Sequence, residues 1–107
     1  MNNPETEVFQ DAPTLRDNVG AGRFEMDAGL AVAFLEYRRI GNRLHLMHTE
    51  VPSALRGRGV GRRLVRAVLD QARAQGATIV PNCPFVKAFL AGHPEYQSLV
   101  RVPRDPI

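Results

Sequence analysis

Hydrophobic and polar residues alternate in short runs over the first half of the chain and recur at helical spacing over much of the second. From Arg23 onward, RFEMD, LAVAFLEYR and RLHLMHTEV are separated by DAG and IGN, short turn signals that join antiparallel neighbours, so the pattern predicts a three-stranded meander. In the third strand a two-residue period puts Leu44, Leu46 and His48 on one face and His45, Met47 and Thr49 on the other. One face of such a sheet has to meet a helix. Val60, Leu64, Val65, Val68, Leu69 and Ala72 supply its apolar stripe, Arg62, Arg63, Arg66, Asp70 and Arg73 its opposite side, and Gly76 its stop. TIV at 78–80 reads as a short buried strand, and a strand–helix–strand unit of this length crosses right-handed into a parallel pair. Proline suits a first helical position, so a second helix starts at Pro84, carries Phe85, Val86, Phe89 and Leu90, and ends at Gly92. HPEYQSLV adds a last turn or short helix.

The expected fold is therefore α/β of the α+β kind: a compact mixed sheet, an antiparallel meander plus one parallel strand, with a central amphipathic helix and a second short one. Residues 1–22 close on the turn-rich PTLRDNVGAG and read as a frayed segment with a possible first strand, ahead of one domain over 23–107. A chain of 107 residues, 44% hydrophobic, has material for a single core. Cys83 is the only cysteine, which excludes an internal disulfide. MNNPETEVF has neither the basic start nor the apolar stretch of a signal peptide, and the longest apolar run, Leu30 to Leu35, is too short to cross a bilayer. The expectation is a cytoplasmic protein without a membrane partner.

Charge narrows the function. The net charge is only +3, yet Arg56, Arg58, Arg62, Arg63 and Arg66 fall close together, so positive potential is focused and does not form a long stripe. That favours a small polyphosphate over nucleic acid, as does the lack of interleaved aromatics for base stacking. The focus is RGRGVGRR at 56–63, between a strand and a helix. A loop opening a helix presents unpartnered backbone N–H groups at the positive end of the helix dipole, where anions collect. Glycines at 57, 59 and 61 allow positive φ and let the backbone approach a bulky diphosphate. A P-loop would need Lys followed by Ser or Thr where Arg62 and Arg63 stand, and a dinucleotide fingerprint would need a parallel sheet where a meander comes first.

TEVPSALRGRGVGRRLV resembles the acetyl-CoA signature of the Gcn5-related N-acetyltransferase superfamily, R-x-x-G-x-G after a strand end, carried here by Arg56, Gly59 and Gly61 with Val51 five residues before. HTEVP, the loop, the helix, PNCPFV and HPEY in this order resemble a very small acetyltransferase-like family that amounts to the cofactor-binding half of the fold, over roughly Arg23 to Val100. The resemblance implies that acetyl-CoA is the cofactor. Its diphosphate would be wrapped by the backbone of Arg56, Gly57, Arg58, Gly59, Val60, Gly61 and Arg62, and its pantetheine arm would pair with main-chain groups from Thr49 to Val51. It implies N-acetyl transfer to an amine, with a backbone N–H near Val51 holding the thioester oxygen. Larger relatives shape the acceptor site with helices ahead of the first strands, and no helical pattern stands there in this chain. The alternative is a module that binds or senses acyl-CoA with little or no catalysis. Neither the acceptor nor an oligomeric state is specified by these residues.

Cys83, between Asn82 and Pro84 at a helix start, would have its thiol pKa lowered by the helix dipole and could accept the acetyl group as a thiolate. The small family often has a cysteine in this segment. The bland alternative is a buried small hydrophobe. Glu50 and His48 are the other catalytic candidates, able to act as general base directly or through water if the strand stays regular through Thr49. Otherwise they are a solvated carboxylate and a sheet histidine. Tyr96 could protonate the leaving thiolate, but Phe85, Phe89 and Tyr96 are more simply read as aromatic core. Lys87 is a surface residue that could at most touch the 3′-phosphate of CoA. His45 and His93 have no metal-ligand spacing with Cys83, so no metal site is expected.

Overall fold

The computed structural model describes residues 14–101. The start of the expected N-terminal segment, 1–13, and the end of the expected domain, 102–107, lie outside the described residues. Five strands, β1 (Leu15–Asn18), β2 (Arg23–Ala28), β3 (Ala31–Ile40), β4 (Arg43–Glu50) and β5 (Thr78–Pro81), form one sheet in sequential order. Helix α1 (Val60–Ala74) connects β4 to β5, and α2 (Pro84–Ala91) follows β5. The first four strands pair antiparallel, and β4 pairs parallel with β5. A mixed α/β sheet with one parallel pair is thus what the residue pattern predicted. β1 is the possible first strand, and the last segment is a short 3₁₀ helix, Pro94–Leu99.

Each turn has a local cause. The β2–β3 hairpin closes at Ala28↔Ala31 around Gly29, and β3–β4 at Ile40↔Arg43 around Gly41, both glycines at positive φ. Helix α1 buries Val60, Leu64, Val65, Val68, Leu69 and Ala72, while its arginines stay exposed. It packs on the face bearing Phe24, Leu35, Leu44 and Leu46, and Val86, Phe89 and Leu90 of α2 join the same core, so both helices cover one side of the sheet.

The register of β4 departs from the expected alternation. Glu36 of β3 faces His48, but the next residue, Tyr37, faces Leu46, so Met47 is an extra residue. This bulge advances the in–out phase by one position. Leu44 and Leu46 point to the helices as expected; beyond Met47 it is Thr49, opposite the buried Leu35, that shares their side. His48 and Glu50, opposite Glu36 and Phe34, turn to the other face. The parallel ladder stops at Leu46↔Pro81, with the Asn82 N–H donating to the Leu46 carbonyl at 2.9 Å as the last link. The end of β4 runs on without β5 beside it.

Candidate active site

The opening left where β4 outruns β5 is bordered by the arginine–glycine curl. A 3₁₀ turn (Ser53–Leu55) leads from β4 into it, and Arg56 turns back so that its Nε donates to the Val51 carbonyl at 3.2 Å. Gly57 (φ 80°) and Gly59 (φ 75°) occupy the left-handed region that a side chain resists. The first helical bond in α1 runs from the Arg63 N–H to the Gly59 carbonyl. Among the described residues, the backbone N–H groups of Gly57 to Arg62 make no hydrogen bond, which leaves a run of donors at a helix N-terminus. The Arg62 and Arg63 guanidiniums fold toward it, 3.4 and 3.8 Å from where a Cβ on Gly59 would stand.

Gly61 also has a packing role that the sequence pattern does not show. A Cβ there would lie 2.8 Å from Cζ of Phe85 and 3.2 Å from Cγ2 of Val51, so the glycine lets α2 and the end of β4 close against the start of α1. Phe85 itself corrects the reading of it as core: its side of α2 borders the cleft, and the residue is 41% exposed.

A cavity of about 600 Å³ fills the space between these elements. Thr49, Glu50 and Val51 line it from the strand end, and Arg56, Gly57, Gly59, Val60, Gly61 and Arg62 from the curl. Arg58 is exposed outside it. The far wall is one stripe of α2 and its end: Phe85, Ala88, Phe89, Gly92 and His93. Sequence reasoning assigned none of that stripe to a site. Its signal was the pair of small residues, Ala88 and Gly92, on the face that carries the aromatics, which leaves room where a packed core would fill it.

The bulge sets Cys83 apart from Glu50 and His48. Cys83 is the N-cap of α2 and is 3% exposed, with Sγ 3.4 Å from the Thr49 hydroxyl. Burial pushes its thiol up, but the Thr49 hydroxyl and the backbone amides of Val86, Phe85 and Thr49 outweigh that and bring it below the ordinary value. Glu50 borders the cavity, and its Oε1 lies 3.0 Å from Nε2 of His48, which stands outside the cavity on the open face. That face is braced toward β1. Glu25, 7% exposed, accepts from Arg23, Asn18 and Arg16, and these donors, Arg23 foremost, lower its carboxyl to about 2. The Arg23 guanidinium lies 4.2 Å over Phe34, whose ring meets the edge of His48. Tyr96 is buried; its hydroxyl donates to Asp70 at 2.7 Å and accepts from Arg66 at 3.4 Å, tying the last turn to α1. Lys87 is exposed on α2.

The residues of the R-x-x-G-x-G signature, Arg56, Gly59 and Gly61, thus stand in a free-amide curl at a helix start, beside the gap between two parallel strands. A family model described as GCN5-related N-acetyl-transferase matches residues 23–99. The chain belongs to this family. Among solved structures, the NMR structure of a GCN5-like protein from Staphylococcus aureus superposes with a TM-score of 0.63 at 30% identity, covering 85% of this chain and 90% of that one. Protein NATD1 of Bos taurus is 37% identical over 71 residues, and that of Homo sapiens 35%, each match covering 65% of this chain. The chain spans 63% of the length of these two curated relatives.

Proposed function

We propose that this GCN5-related chain binds acetyl-CoA in the cleft and transfers its acetyl group to an amine. The observation that carries the reading is the run of unpartnered amides from Gly57 to Arg62, in residues that, Arg58 excepted, line a cavity reaching the end of β4. Donors at a helix N-terminus suit a diphosphate, and Arg62 and Arg63 add charge. The amides fix position, since the dipole contributes only about 0.3–1 kcal/mol per charge. On the side where β5 has ended, main-chain groups from Thr49 to Val51 face no strand, and an extended pantetheine arm would pair there. The Val51 N–H, without a hydrogen bond among the described residues, is the candidate donor to the thioester oxygen.

Acetyl-CoA would supply the activated acyl group; the chain supplies binding, orientation and a base. Glu50 is the group best sited to take the proton from the attacking amine, because it borders the cavity while its other contact, His48, reaches the open face. Breakage of the carbon–sulfur bond would release CoA as a thiolate, and the proton that Glu50 took from the amine would return to it, directly or through water. A second reading is favoured by the Thr49–Cys83 contact and the lowered thiol: Cys83 as thiolate would accept the acetyl group and pass it to the amine. Its burial and its absence from the cavity lining count against that route. Isotope-labelled acetyl-CoA, incubated with a panel of primary amines, tests the reading. Label in an amine is the expected result, and Glu50→Gln should abolish most of it while Cys83→Ala retains it. Binding without transfer to any amine would leave an acyl-CoA-binding module; no binding would remove both.

A further inference from the structure

The cavity extends beyond the curl to the C-terminal end of α2, where its wall is aromatic. There the imidazole of His93 stacks on Phe89, ring centroids 4.0 Å apart and planes 15° from parallel. Phe89 is 6% exposed and the His93 side chain 27%, so the imidazole is the outer layer of the stack. The ring is already fixed. Its Nδ1 lies 3.2 Å from Oε2 of Glu95, and Phe89 beneath it is backed by Tyr96 and by the Arg66 guanidinium 5.6 Å from its centroid. A base stacking there would therefore immobilise little that is not already held.

His93 is badly sited for the acyl transfer. The eight residues of α2 separate it from Cys83 and the end of β4, a helix length of about 12 Å. It is well sited for the other end of a long ligand whose diphosphate is held at the curl. Among the described residues lining the cavity, His93, Phe89 and Phe85 are the aromatic ones, and Phe85 lies at the strand end against Gly61. We infer that His93, supported by Phe89, is the stacking platform for the adenine base of the coenzyme. This rests on the reading of the cleft as an acetyl-CoA site and assigns the part of that site that the signature motif leaves open.

The test compares acetyl-CoA with S-acetyl-4′-phosphopantetheine, a donor that lacks the adenosine with its 3′-phosphate and keeps one phosphate of the diphosphate. Acetyl-CoA is titrated by calorimetry, and the truncated donor by displacement of acetyl-CoA. His93→Ala should weaken acetyl-CoA about tenfold, in the range of base–aromatic stacking, and leave the truncated donor within about twofold. His93→Phe, which keeps a flat ring but cannot bond to Glu95, should restore most of the loss. Three results overturn the inference: unchanged acetyl-CoA affinity in His93→Ala, equal weakening of both donors, or His93→Phe as weak as His93→Ala. Wild-type protein that binds neither donor would instead remove the coenzyme reading itself.

Discussion

Gly61 carries the clearest quantitative consequence of the geometry. Replacing it by alanine would put a methyl group 2.8 Å from the Phe85 ring and 3.2 Å from Val51, closer than such atoms approach without movement. Overpacking of this kind costs about 1–3 kcal/mol. Against it stands the helix preference of alanine over glycine, up to about 1 kcal/mol, because Gly61 lies inside α1 at ordinary φ. Gly61→Ala alone should therefore destabilise by about 0–3 kcal/mol, the difference of these terms. In a Phe85→Ala background the nearer obstacle is gone and the same change should approach neutral or stabilise, giving a coupling of about 1–3 kcal/mol. Urea unfolding of the four proteins in the cycle measures it. Equal costs for Gly61→Ala in both backgrounds would refute the idea that Phe85 is what demands glycine there.

Other outcomes follow from the same contacts. Gly59→Ala holds a non-glycine residue at φ 75° and should lose about 1–2 kcal/mol from that strain, with no clash comparable to that at Gly61; thermal unfolding reads it. Because Cys83 is the chain's only cysteine, its alkylation rate against pH reports one thiol, and Thr49→Val should shift that profile upward by removing a hydroxyl that favours the thiolate. An unmoved profile would mean that Thr49 does not tune it. Glu25, held at about 2 against an ordinary 4.5, stabilises the fold above pH 4.5, and this stabilisation is lost as pH falls toward 2. Glu25→Gln should lower the melting temperature at pH 7 and flatten its decline across that interval; a decline as steep as in the parent would show that the acid sensitivity lies elsewhere.

Much of the fold was legible because each element carried its own signal. The stripe from Val60 to Ala72 against the arginines could only be an amphipathic helix, and Pro84 marked where the next began. The curl was legible from composition, since glycines clustered at a helix entrance are unfavourable unless the backbone is used. The bulge was not. LHLMHTE alternates plausibly in either phase, and after Met47 the strand holds only His48, Thr49 and Glu50, none of them an apolar residue to show which side is buried, so only pairing with β3 reveals Met47 as the extra residue. That one position moved His48 off the helix-facing side and brought Thr49 to Cys83. Phe85 was misread for a related reason. An aromatic residue on an apolar helix looks like core whether it faces a sheet or an open cleft, and the difference lay in the small Ala88 and Gly92 beside the stripe.

The central claim, that main-chain amides from Gly57 to Arg62 hold the coenzyme's diphosphate, is tested most directly by a ¹⁵N-edited amide titration with acetyl-CoA. The account predicts that the largest downfield amide proton shifts fall on those residues and recur with a simple diphosphate at higher concentration. Shifts concentrated elsewhere, with the curl unmoved at saturation, would contradict it.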